Sequence, residues 1–309
     1  CVILGNGTLG LMIALELFDF PMNAEIITTP FTFAATVSSI IWQKYKPVFV
    51  DIEKDTFNIN PKEIEKKISE KTAAILPVHV FGNPCNVSEI DQIAKLYNLK
   101  VIYDAAHCFD VYYDGKSLYS FGDVSVASFH ATKVFHTIEG GAIFTNNKEL
   151  ASKARKLRNF GFDEKSEIVD VGINAKMNEF QAIMGILNLD IVQDEILERK
   201  KRYEIYVNNL KDLPITFQRF DEKIVKYNYI YMPVLFESGK TREVVYENLK
   251  KNGYNTRKYF YPALNTVFSK EKLPIAEDIS NRILHLPLYG ELQIEEVEKI
   301  CKIIRETIK

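Results

Sequence analysis

Short apolar runs alternate with longer stretches of mixed polarity over the first two-thirds of the chain. The runs at 1–4, 25–28, 47–50, 74–80, 100–103, 124–129 and 141–145 are rich in Val, Ile and Phe and mostly apolar on both faces. Strands covered by helices on both sides of a parallel sheet read this way. Between them, 8–18, 61–69 and 88–97 read as helices, the second opening on Pro61 and the third on a Ser88-x-x-Asp91 start signal. Strand and helix in alternation predict βαβ units and an open, doubly wound, mostly parallel sheet.

The pattern changes at Asn178, where one long helix is predicted to about residue 210, apolar in its first half (Phe180, Ile183, Met184, Leu187, Leu189) and charged from Glu195 to Arg202. A strand at 226–236, a helix at 241–257 and a closing helix at 295–308 follow. The expected organisation is a large α/β domain over 1–200 and a smaller C-terminal α+β domain over 201–309. The chain opens at Cys1, already inside a strand, so an N-terminal segment is expected to be missing.

Composition narrows the class. Of 309 residues, 47% are hydrophobic and 26% charged, which fits an ordinary globular chain and excludes disorder. Thirty-nine basic against 41 acidic side chains give a net charge of −2, so nothing electrostatic favours nucleic acid or an anionic membrane. Cys1, Cys85, Cys108 and Cys301 form no CxxC pair, and neither a metal site nor a disulfide framework is indicated. No apolar run approaches the roughly 20 residues that span a bilayer. A soluble, cytoplasmic protein is expected.

Ligands of open α/β sheets bind at the carboxyl ends of the strands, and three features fall there. Gly5-Asn6-Gly7-Thr8-Leu9 leaves the first strand and opens a helix. Its free N–H groups suit a phosphate, although an ordinary strand-to-helix turn has the same look. Asp104 follows the strand at 100–103 and suits either a helix N-cap or a carboxylate held against a cation. Lys133 lies between the strand at 124–129 and the pair Gly140-Gly141. Most lysines are simply solvated, but one in a desolvated pocket becomes a nucleophile for carbonyl chemistry. Phosphate cradle, carboxylate and lysine together make the constellation of a pyridoxal-phosphate enzyme.

The sequence resembles the DegT/StrS family of sugar-nucleotide aminotransferases, which have the fold type I architecture of pyridoxal-phosphate-dependent transferases. The matching stretches are 5–17 (GNGTLGLMIALEL), 30–36 (PFTFAAT), 47–51 (PVFVD), 77–85 (PVHVFGNPC), 104–107 (DAAH), 128–142 (SFHATKVFHTIEGGA), 172–178 and 257–262. The resemblance implies pyridoxal 5'-phosphate as cofactor, with Lys133 as the Schiff-base lysine and Asp104 as partner of the pyridinium nitrogen. It places Phe33 on the cofactor ring, a position that an ordinary core Phe also fits. Thr8, Leu9 and Ser128 fall at the phosphate, and His107 beside the ring's 3-hydroxyl. Asn174 is implied to reach the phosphate of a neighbouring subunit, which makes a homodimer with shared active sites. His79 reads as a core histidine. Ala175-Lys176 departs from the commoner Tyr-Arg and removes a bidentate guanidinium.

Around the lysine, Phe-His-Ala-Thr-Lys-Val-Phe-His with Glu139 before the glycines resembles the VioA-like and DesI-like subgroup, which makes dTDP-4-amino-4,6-dideoxyglucose. The related dehydratases carry histidine in place of the lysine. The implied partners are L-glutamate as amino donor and a nucleotide-linked keto sugar as acceptor. Amination at C3, a UDP- or GDP-linked acceptor, and a non-catalytic regulator are the alternatives.

Overall fold

The computed structural model describes residues 1–308. The strands of its first part are β1 (Val2–Leu4), β2 (Glu25–Thr28), β3 (Lys46–Phe49), β4 (Thr72–Leu76), β5 (Lys100–Asp104), a two-residue-per-strand hairpin β6 (Tyr112–Tyr113) and β7 (Lys116–Ser117), β8 (Val124–Ser128) and β9 (Gly141–Phe144). Seven of them form the central sheet, in the order β1-β9-β8-β5-β4-β2-β3. All run parallel except β9, which is antiparallel to both of its neighbours. Residues 129–140 return from β8 as a loop, without the crossover helix that a parallel neighbour requires.

The helices are α1 (Gly7–Glu16), α2 (Ala34–Trp42), α3 (Pro61–Ile64), α4 (Val87–Tyr97), α5 (Lys148–Leu157), α6 (Glu179–Leu210), α7 (Gly239–Lys251), α8 (Asn265–Phe268), α9 (Pro274–Arg282) and α10 (Ile294–Ile308). Successive strand residues feed opposite layers. Ile26, Ala74 and Val126 pack with Leu11 and Leu15 of α1 and Leu157 of α5. Ile27, Ile75 and Ala127 pack with Ile90 and Ile93 of α4. This period-2 division explains why the strands lack a polar face.

Four strands complete the fold: β10 (Ile215–Phe217), β11 (Ile224–Lys226), β12 (Met232–Phe236) and β13 (Ile283–Leu286). An antiparallel sheet β10-β12-β13 packs with α7, α10 and the end of α6 through Tyr206, Val234, Leu249 and Ile300. A separate cluster joins Phe31, which follows β2, to Phe260 and Ile279 from the C-terminal part, and so carries that part over the strand ends.

Several local expectations shift. The run at 74–80 is strand only to Leu76, because Pro77 offers no N–H to continue the ladder. Helix α4 is capped by Asn86, whose side chain accepts from the Glu89 amide, so Ser88 is not the cap. The stretch at 61–69 is one α-turn followed by a 3₁₀ turn. The strand expected at 226–236 divides between β11 and β12, which lie in different sheets. The long helix begins at Glu179 behind an Asn178–Gln181 capping box.

Candidate active site

A cavity of about 560 Å³ opens over the carboxyl ends of β1, β2, β5 and β8, roofed by Tyr231, Tyr259 and Phe260 from the C-terminal part. Its floor begins where β1 gives way to α1. Asn6 caps that helix, its Oδ1 accepting from the Leu9 amide at 2.8 Å. The Gly7 and Thr8 amides at the helix start have no partner among the described residues, and the helix dipole makes them good anion donors. Gly7 is required here: a Cβ on it would lie 2.9 Å from Ser128 Cβ. That close approach sets the Ser128 hydroxyl, at the end of β8, beside the turn.

Asp104 closes β5 with its carboxylate buried. Oδ2 accepts from Thr36 Oγ1 at 2.7 Å, Thr36 shares a 2.7 Å hydrogen bond with Thr32, and Oδ1 accepts from the Ala106 amide at 3.1 Å. Burial raises its pKa above the ordinary carboxylate range, against the opposing pull of these donors and of Lys133. Lys133 stands on the 129–140 loop, its own amide donating to the His130 carbonyl at 2.9 Å. Its Nζ donates to Tyr231 Oη at 3.4 Å. Burial lowers its pKa to about 8, and the Asp104 charge acts in the opposite direction. An amine that gives up its proton far more readily than an ordinary lysine thus shares the cavity with a buried carboxylate.

His107 is buried against Tyr231, with ring centroids 5.1 Å apart. Its Nδ1 accepts from the Phe81 amide at 3.1 Å, which leaves the ring proton on Nε2. Burial, with Lys133 and His285 nearby, holds it well below its ordinary pKa and so neutral. Phe33, preceding α2, is 59% exposed and lines the cavity.

Of the residues singled out in the sequence, Lys133, Asp104, His107, Ser128, Thr8, Leu9 and Phe33 therefore meet in one cavity. Asn174 does not; it is exposed, in an isolated bridge with Asn159. His79 is buried away from the cavity, its Nδ1 accepting from the Cys85 amide at 3.0 Å, its ring stacked on Tyr103 and its pKa lowered by burial to about 3. Lys176 bonds Asn159 Oδ1 at 2.6 Å and lies over the Phe160 ring.

Two residues at the centre carried no role in the sequence. Thr36 lay within the quoted PFTFAAT, and its spacing from Thr32 (i, i+4) was the available signal. Tyr231 is 98 residues from Lys133 and only the tertiary fold joins them. Among the described residues there is no cluster of three metal-binding side chains, and no helix is long and apolar enough to cross a membrane.

This donor set fits a phosphorylated pyridine aldehyde. Helix-start amides and a hydroxyl suit its phosphate, a buried carboxylate suits a protonated ring nitrogen, and the depressed amine suits its aldehyde.

The chain matches the model of the DegT/DnrJ/EryC1/StrS aminotransferase family over residues 1–305. It is 40% identical over 309 residues to a dTDP-4-amino-4,6-dideoxy-D-glucose transaminase of Shigella dysenteriae, covering 97% of this chain and 84% of that protein. It superposes on the crystal structure of DesI in the presence of its TDP-sugar product with a TM-score of 0.92 at 32% identity, covering 99% of this chain and 79% of DesI. NtdA from Bacillus subtilis, with bound cofactor PMP, gives a TM-score of 0.87 at 27% identity, covering 99% and 73%.

Proposed function

The chain belongs to the DegT/DnrJ/EryC1/StrS aminotransferase family, and from that premise we propose that it transfers an amino group from L-glutamate to C4 of a nucleotide-linked 4-keto-6-deoxy sugar, dTDP-4-keto-6-deoxyglucose, with pyridoxal 5'-phosphate as cofactor. The observation that carries this reading is the Lys133 amine, its pKa lowered to about 8, in one cavity with the buried Asp104 carboxylate. The similarity to DesI and to the Shigella dysenteriae transaminase supports the choice of sugar.

When bound, the cofactor supplies an aldehyde that accepts the amino group and a ring that takes up electrons. Lys133 would hold the aldehyde carbon until the donor amine displaces it, and then move the proton between the donor's Cα and the cofactor. An amine with a pKa near 8 both gives and takes a proton near neutrality. Asp104 would keep the proton on the ring nitrogen, a positive partner that favours its ionised form. Gly7, Thr8 and Ser128 would hold the phosphate, with Leu9 packing in the same turn. His107 presents its Nε2–H, suited to a ring oxygen, and Phe33 offers an aromatic face. Glutamate leaves as 2-oxoglutarate, and the sugar's carbonyl oxygen is replaced by the amino group.

The reading includes a homodimer in which Asn174 serves the partner's site. Its support is the exposed placement of Asn174 and the uncovered apolar face at the start of α6.

The test supplies purified protein, cofactor and L-glutamate with dTDP-, UDP- and GDP-linked 4-keto-6-deoxy sugars in parallel, and follows products by mass spectrometry. The aminated dTDP-sugar with matching 2-oxoglutarate is expected. Conversion of the UDP- or GDP-sugar instead, or of none, overturns the assignment.

A further inference from the structure

His130, Thr132 and Glu139 line the same cavity, and the His130 amide donates to Ser128 Oγ at 3.4 Å. All three belong to the loop that carries Lys133. The Glu139 backbone is clamped: its amide donates to the Thr137 carbonyl at 2.8 Å and its carbonyl accepts from Thr137 Oγ1 at 2.6 Å. Thr137 is buried, and Gly140 is pressed against it so closely that a Cβ would come within 2.0 Å of Oγ1. The side chain thus starts from a fixed point. His130 Nδ1 accepts from the Thr132 amide at 3.2 Å, which leaves the proton on Nε2, 3.5 Å from Glu139 Oε1. Among the described residues no hydrogen bond reaches this carboxylate, and His130 is its one ion-pair neighbour. It is half exposed, in contrast to the buried Asp104, and the two are the acidic side chains lining the cavity.

We propose that Glu139, held by its clamped backbone, is a specificity-determining residue that accepts a hydrogen bond from a ring hydroxyl of the acceptor sugar. An anchored carboxylate with open lone pairs is a strong acceptor for a sugar hydroxyl. The same charge disfavours carboxylates and phosphates at that point. It therefore directs the diphosphate of a nucleotide sugar away from the loop and gives the dicarboxylate donor no contact there. Glu139 thus acts in the sugar half of the reaction and not in the glutamate half. This inference rests on the aminotransferase reading above.

The two halves are separable in the holoenzyme by absorbance: glutamate alone converts the aldehyde form of the cofactor to the amine form, and dTDP-4-keto-6-deoxyglucose alone converts it back. Glu139→Gln is expected to leave the glutamate half within about twofold of the unaltered enzyme. It should slow the sugar half by about 10- to 100-fold, the effect of one lost charge-assisted hydrogen bond. The dissociation constant of the aminated product, read by calorimetry, should rise by a similar factor. Equal slowing of both halves, or no slowing of the sugar half, overturns the proposal. Thermal melting accompanies each variant. If Glu139→Gln melts early, Glu139→Asp, which keeps the charge but shortens its reach, carries the test, and an unchanged sugar half there overturns it. An unaltered enzyme that passes the glutamate half but returns with no keto sugar overturns the acceptor assignment and this proposal together.

Discussion

At the scale of single residues, the proposed function rests on the pairing of Lys133 with Asp104. Lys133→Ala is expected to keep the fold and lose transamination by at least about 1,000-fold, because in the proposed function one amine serves as both anchor and proton carrier. Residual turnover near the parent rate would overturn its role. The lowered pKa gives a second expectation. Only the unprotonated amine attacks an aldehyde, so the rate at which apoprotein captures the cofactor should rise with pH through about 8. The Asp104 charge raises the Lys133 pKa, so Asp104→Asn should move that midpoint downward while severely reducing turnover. An unmoved midpoint, followed by absorbance, would show that the two groups do not interact. The sign also fixes apoprotein stability. From about 8 to the ordinary 10.5 the unfolded chain holds a proton that the folded chain has released, so this group's contribution to stability rises with pH across that window.

At the scale of elements, the site depends on how closely the start of α1 approaches β8 and β9. A Cβ on Gly7 would meet Ser128 Cβ at 2.9 Å, and one on Gly141 would meet the Asn6 carbonyl carbon at 2.7 Å. Gly7→Ala should therefore push the amide turn from the Ser128 hydroxyl and raise the cofactor's dissociation constant by about tenfold, while costing only about 1–3 kcal/mol of stability. Gly115→Ala is the control. It sits at φ +74° with nothing within 4 Å, so it should cost about 1 kcal/mol of backbone strain and leave cofactor affinity unchanged. Equal affinity loss in the two variants, measured by cofactor titration, would refute the close-approach argument. Much of this geometry was legible in the sequence. Apolar periodicity located the strands of the central sheet, and the residues at strand ends led to Asp104 and Lys133. The direction of β9 was not legible, because its apolar run resembles a parallel strand and only the short return loop reverses it. Tyr231 and the Thr36–Asp104 bond escaped because partners far apart in sequence leave no local pattern.

At the scale of the whole molecule, the start of α6 presents surface that the chain itself does not cover. Phe180 is 83% exposed, Ile186 64% and Leu187 59%, on a helix whose later residues Val192, Ile196 and Tyr206 are buried. A contiguous apolar face of this kind marks an interaction surface, and closed two-fold dimers are the commonest way to bury one. In the primary sequence the same segment, apolar and then charged after Asn174, already offers more hydrophobic surface than one small domain covers, and that excess is what points to a dimer. The exposed Asn174 lies just before this face, separated from its own cavity, as a residue serving a neighbour would be. The proposed shared site can be tested by complementation. Lys133→Ala and Asn174→Ala are each expected to be inactive as pure dimers, the first for want of the amine and the second through weakened hold on the partner's phosphate. Co-expression mixes the subunits, and in a mixed dimer one of the two sites carries neither lesion. If the lesions fall on different sites as proposed, the mixed dimers should regain up to about half of the parent activity, against essentially none in either pure variant. Ile186→Glu, which places a charge on the apolar face, should lower the sedimentation coefficient to that of a monomer and abolish the complementation. Full activity in a monomeric Ile186→Glu protein would refute the shared site.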